Sequence, residues 1–139
     1  MLARAKTPSE YFAAPSACYF RGRRFICAQS VGGVYGLVAW GRLVEDDAKE
    51  LVEVLDAAAQ TEKPRRQLVD LSQVLHVAAA AMSCLTRYYV SQPEYVETVA
   101  REAVVRPDGL VGIFAEGLYR VVPLPFEGRV FRYLDDAFR

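Results

Sequence analysis

The chain has 139 residues, 53% hydrophobic and 24% charged, which is room for one domain with a hydrophobic core and too little for two. Its 17 basic and 17 acidic residues leave no net charge, so composition offers no electrostatic footprint for nucleic acid, and direct nucleic-acid binding by this segment is not expected. Cys18, Cys27 and Cys84 are widely spaced with no CxxC pair, which argues against a disulfide framework or a zinc site and for a reducing, cytoplasmic setting. No long apolar segment follows Met1, so neither a signal peptide nor a membrane span is expected.

Residues 1–16 mix Ala, Pro, Ser and Lys without a clear period and read as a loosely ordered arm, with Tyr11 and Phe12 as its only strong anchors. A single domain is expected over 17–139. Cys18 to Gln29 is rich in aromatic and branched residues, and the basic run Arg21, Arg23, Arg24 within it reads as a solvated hairpin turn. The same basic run could instead act as a local patch. Val31-Gly32-Gly33 marks a tight turn into a second strand, Val34 to Leu43, where Gly36 and Gly41 predict a bulge or a close backbone approach near Trp40.

Glu45-Asp46-Asp47 places three acids where a helix N-terminus attracts them. Ala48, Leu51, Val52, Leu55 and Ala59 follow at helical spacing, with Lys49, Glu50, Glu53 and Asp56 on the other face, and Pro64 closes the helix. The next stretch, Gln67 to Leu85, organises the chain. It reads as a strand around Asp70, a turn through Ser72-Gln73 and Val74 to Val77, and an alanine-rich helix from about Ala78 through Tyr88 and Tyr89 to Ser91. In a βαβ unit, a buried strand delivering the chain to a helix N-terminus at the sheet rim is a usual place for function.

Beyond Pro93, Arg101 to Val105 reads as a strand, Pro107-Asp108-Gly109 as a turn, and Leu110 to Val121 as a helix. A last strand is expected over Gly128 to Tyr133 and an incipient helix over Leu134 to Phe138. The predicted order is ββαβαβαβα, an α/β fold in which a leading hairpin and αβ units build a mixed sheet with helices packed on it.

The residues offer little catalytic chemistry. His76 is the only histidine, so no His–His metal pair can form; it is a candidate base or pH-sensitive contact at the rim, and equally a hydrogen-bonded loop residue. Cys84 near a helix start is a candidate thiolate and equally a small buried hydrophobe. Ser72 and Ser83 lack a neighbouring base, and no phosphate-cradling glycine motif occurs. The acidic clusters at 45–47 and 135–136 are explained as helix starts. Nothing calls for a cofactor or a metal, and the chain is read as a non-enzyme. Tyr88, Tyr89 and Tyr95 lie close in sequence and are candidates for interface or core.

The element order, Asp70-Leu71-Ser72 followed by Val74, and the later AVVRPDGLVGIFAEGL and VVPLPFEGRVFRYLDDAF resemble the STAS domain, the SpoIIAA-like anti-sigma-factor-antagonist fold. The resemblance covers roughly Cys18 to Phe138 and, more loosely, extends to STAS-like N-terminal segments of AraC-type bacterial transcription regulators. In phosphorylated members, D-S-S-G opens the helix after the D-L-S-x-V strand. Here Ala78, Ala79, Ala80 and Ala81 stand at those positions, so the resemblance implies a scaffold without the serine switch. Ser83 is the one displaced substitute for it.

The implied role is a non-catalytic regulatory domain in bacterial signalling or transcription control. It would bind a protein partner through His76, Ala78, Ala80, Ala81, Ser83, Arg87 and Tyr88. A homodimer through a sheet edge or helix face is compatible with this reading. The alternative is a small-ligand-sensing N-terminal domain of a DNA-binding regulator, with an apolar molecule held beneath the hairpin or beside the alanine-rich helix.

Overall fold

The computed structural model describes residues 2–30, 32–61, 65–91, 99–105 and 127–131. In chain order these form β1 (Ala3–Arg4), α1 (Pro8–Ala13), β2 (Cys18–Arg21), β3 (Phe25–Gln29), β4 (Tyr35–Leu43), α2 (Glu45–Ala59), β5 (Arg65–Val77), α3 (Ala79–Ser91), β6 (Val99–Val105) and β7 (Glu127–Phe131). The helices expected over 110–121 and 134–138, the turn at 107–109 and Tyr95 lie outside the described residues.

The stretch expected as one strand, Cys18 to Gln29, is two. Its basic run is the hairpin turn between them, closed by Gly22 N–H donating to the Phe25 carbonyl at 3.0 Å. A Cβ at Gly22 would overlap the ring of Phe25, a fully buried core residue, so the chain reverses there over a bare backbone. The turn is less solvated than the charge run implies. Arg24 is half-buried, with Nε 3.5 Å from Oδ2 of Asp47.

Residues 1–16 are not a loose arm. β1 pairs in parallel with β2, Ala3 opposite Cys18, and α1 follows from a recognisable start. The Thr7 hydroxyl accepts from Glu10 N–H at 3.1 Å, Pro8 opens the first turn, and the Glu10 carboxylate accepts from Lys6 N–H at 2.8 Å. This local capping turns Tyr11 inward, where it is 1% exposed, edge-on to Phe12 and Tyr35. Burial then raises its phenol well above the ordinary value.

The strands lie side by side in sequence order, with the two-residue β1 on the edge of six longer strands. β2–β3 and β3–β4 are antiparallel, while β4 to β7 run parallel to one another. The three described helices pack on one face. Tyr11 of α1, Leu51 and Val54 of α2 and Leu85 of α3 join a core with Phe25, Cys27, Ala39, Leu43 and Val74 from the strands. Leu55, Ala58, Tyr88 and Val99 form a second cluster.

The expected stripe on α2 is displaced slightly. Asp47, Ala48, Leu51, Val54, Leu55 and Ala58 are buried, and Val52 and Ala59 only partly so. Asp47 is buried because it has work at the helix start: its Oδ2 accepts from Val44 N–H at 2.8 Å, the backward half of a capping box.

The turn expected at Ser72-Gln73 is a strand irregularity instead, and β5 runs unbroken to Val77. Val38 lies opposite Asp70, but Trp40 lies opposite Gln73. Gly41 lies opposite Val74, but Arg42 lies opposite His76. β5 thus carries one extra residue at each shift, which is the definition of a bulge. At the first, Asp70 Oδ1 accepts from Ser72 N–H at 2.9 Å and from Ser72 Oγ at 2.6 Å, a local bond that competes with the ladder. At the second, the bulge expected near Trp40 appears at Gly41, with φ of +74° and Arg24 Nη1 3.1 Å from the position of a Cβ.

Gly41→Ala is expected to lower unfolding free energy by about 1–2 kcal/mol, because it forces an L side chain into the left-handed region. Gly32→Ala, exposed and without that φ, should stay within about 0.5 kcal/mol in the same denaturant titration; equal effects would refute the bulge geometry. Tyr11→Ala should cost about 3–5 kcal/mol, whereas a loose arm would leave stability untouched.

Cys84 is half-buried, while Cys18 and Cys27 are buried. Cys18 Sγ lies 3.1 Å from the Ala14 carbonyl, and burial pushes the Cys27 thiol up to about 12. Alkylation followed by mass spectrometry should therefore modify native Cys84 first and the other two only after unfolding. Equal rates at all three would contradict this packing.

Candidate functional site

The parallel strands β4 and β5 end at one rim, where each feeds a helix. Leu43 at the end of β4 accepts from Ala78 N–H at 2.9 Å, and Ala78 accepts from Met82 N–H at 3.0 Å, so a single residue joins the strand ladder to the first turn of α3.

Periodicity then sorts the expected site residues. On α3, Ala81, Leu85 and Tyr88 recur at i, i+4 and i+7 and face the core, whereas Ala80, Ser83 and Arg87 recur at i, i+3 and i+7 and face solvent. Ala81 is fully buried, and Tyr88 packs with Leu55, Ala58 and Val99 and stands edge-on to Tyr89. Those two are corrected from contact residues to core residues. Ala78 is half-buried at the junction.

His76 is exposed but turned away from α3. Val74 and Val77 both belong to the helix-side core, so the bulge directs the two residues between them, Leu75 and His76, off that side. Leu75 is 71% exposed, the most exposed large hydrophobic residue described. Sequence reasoning passed over Leu75 because the apolar run 74–77 looks uniformly buried. The signal that could have found it is the Asp-x-Ser turn and Gly41, which together break the period of two.

The chemistry at the rim is that of contact. The Ser72 hydroxyl donates to Asp70, Ser83 is exposed on the outer face of α3, and His76 stands beside Arg42 in register. Among the described residues no group of three His, Cys, Asp or Glu could hold a metal ion, and no helix is long and apolar enough to cross a membrane.

A second polar arrangement, not expected from sequence, sits at the opposite end of β5. Buried Arg65 donates through Nη1 to the Ala58 carbonyl at 3.1 Å and Thr61 Oγ1 at 3.2 Å, and through Nε to Gln67 Oε1 at 3.1 Å. Gln67 Nε2 in turn donates to Glu102 Oε1 on β6. Arg65 thereby caps the C-terminus of α2, whose last turn has no basic residue of its own. An open cleft of about 830 Å³ adjoins it, lined by Phe12, Tyr35, Thr61, Arg65 and Arg66 among others. Gly32, Gly33 and Tyr35 of the β3–β4 hairpin also line it, so it lies at the hairpin, one of the two places expected for an apolar ligand, and away from the alanine-rich helix.

The sequence matches no family model and no curated protein. Among solved structures, this chain is similar to an uncharacterized protein of the DUF3478 family, with a SpoIIAA-like fold, from Shewanella loihica PV-4. The two share 18% identity at a TM-score of 0.58, over 81% of this chain and 87% of that one. At that identity the likeness speaks for architecture, and it agrees with the parallel strands, crossover helices and leading hairpin described above. The chain therefore has a STAS-like, SpoIIAA-like α/β fold.

Proposed function

We propose that this domain is a non-catalytic regulatory module that binds a protein partner at the rim where β5 enters α3. The observation that carries the reading is Leu75, a large apolar side chain that the second bulge of β5 holds 71% exposed. Such a residue, fixed on a rigid strand rather than a loose loop, is a ready anchor for a partner's apolar surface. Ser83 and Arg87, on the outer face of α3, lie across the sheet from Leu75; its neighbours at the rim are His76, half-buried Ala78 and Ala80, and these form the contact surface. Its small side chains allow close approach. The alanines at 78–81 offer no hydroxyl, so binding there would not be switched by phosphate at those positions.

The test uses partners captured from the native host. Leu75→Asp and Ala80→Arg should each weaken retention of a stoichiometric partner by roughly tenfold or more, with thermal unfolding unchanged. Glu53→Lys, exposed on α2, should leave retention intact. A partner held equally by wild type and both rim variants would refute this surface.

A further inference from the structure

The sheet has a second face, on which no described helix lies. On β2, Cys18 and Phe20 belong to the helix-side core, so Tyr19 and Arg21 face the other way. On β3 the same alternation turns Ile26 and Ala28 outward, and on β4 it does so for Val38, Trp40 and Arg42. Leu75 and His76 are turned off the helix side by the bulge. Register brings these residues together: Arg21, Ile26 and Val38 lie across neighbouring strands, and Arg42 lies beside His76. The Arg21 guanidinium sits 5.6 Å above the Trp40 ring, which fixes both on this face.

Among the side chains described on this face the formal charge is one-sided, although the chain as a whole is neutral. Arg21 and Arg42 are exposed, as is the His76 imidazole. The one acidic side chain described here, Asp70, is buried and accepts from Ser72. Among the described residues, Arg23 and Arg24 have carboxylate partners, and Arg21 and Arg42 have none. The nearest acidic cluster, at the start of α2, is already engaged: Glu45 pairs with Lys49, Asp46 with Arg23 and Asp47 with Arg24. Between the cations lie apolar surfaces, Val38 at 37% exposure, part of Trp40, and Leu75.

We infer that this open sheet face, through Arg21, Val38, Trp40, Arg42, Leu75 and His76, is a docking surface for an acidic amphipathic segment of a protein partner. Carboxylates would meet the two unpaired guanidinium groups and the imidazole, and apolar side chains would cover Val38, Trp40 and Leu75. The exposed aliphatic residues favour a protein segment over a polyphosphate chain, which would leave them uncovered. The inference rests on the protein-binding reading above and adds the partner's chemistry and a second contact face.

The experiment selects a random-peptide phage library against the whole domain. Enriched peptides should combine Asp or Glu with apolar residues, and their affinity by fluorescence anisotropy should fall with added salt. Arg21→Glu and Arg42→Glu should each weaken them by roughly tenfold or more at unchanged thermal stability. No enrichment, enrichment without acidic bias, or undiminished binding to both variants would overturn the inference. So would an oligouridylate that binds tightly and is lost in the same variants, because nucleic acid would then be the occupant. Peptides lost only in Ala80→Arg would sink this face while sparing the rim, and peptides lost only in the arginine variants would do the reverse.

Discussion

The structure depends on one buried carboxylate. Asp47 is fully buried and draws three parts of the chain to a single point. Its Oδ2 closes the first turn of α2 by accepting from Val44 N–H, and it faces Arg24 from the β2–β3 turn. Arg24 in turn lies against the backbone of Gly41, at the bulge where β4 loses register with β5. A buried charge is tolerated only when paired and hydrogen-bonded, and removing either partner strands the other. Hairpin, helix start and bulge therefore form together or not at all.

That coupling reaches the rim. In a regular parallel pair every second residue of β5 would face the helices, and alternation continued from Leu71, on the helix side, would place Leu75 and Val77 in the core. Two extra residues on β5 break the alternation, one held by Asp70 with Ser72 and one opposite the positive φ of Gly41. Val74 and Val77 remain inside, and Leu75 emerges. A bulge that re-aims a side chain is a recurrent device, and here it leaves a large apolar residue of a core-like sequence at the surface.

The sequence made the elements legible where a local rule carried them. The acids at 45–47, the apolar spacing of α2, the alanine-rich α3, the strand at 101–105 and the glycines near Trp40 all appear in the structure close to where they were read. The failures share a cause. Residues 3–13 looked loose because T-P-S-E is a short start signal and only the tertiary burial of Tyr11 makes the helix worth forming. Ser72-Gln73 looked like a turn because the Asp70 side chain forms a turn-like bond inside a strand. At the site, the helical period was present all along: Ala80, Ser83 and Arg87 share one face, Ala81 and Tyr88 the other. Choosing which face is outward needs the position of the sheet, which no local pattern supplies.

Net charge misleads for the same reason. Equal numbers of acids and bases say nothing about their arrangement, and the fold separates them into layers. α2 carries Glu45, Asp46, Glu53 and Asp56 on its exposed side against a single Lys49, while the far side of the sheet carries Arg21, Arg42 and His76. The separation follows from two simple constraints. An amphipathic helix that starts with acids to satisfy its dipole keeps its acids on the outer layer. A strand whose alternate residues face that helix turns the others, among them Arg21 and Arg42, to the opposite side, whereas Arg65 and Arg24 stay on the helix side because the Ala58 carbonyl and Asp47 engage them there. Among the described side chains a neutral chain thus separates acids from bases by layer, and the basic side coincides with the exposed Val38 and Leu75.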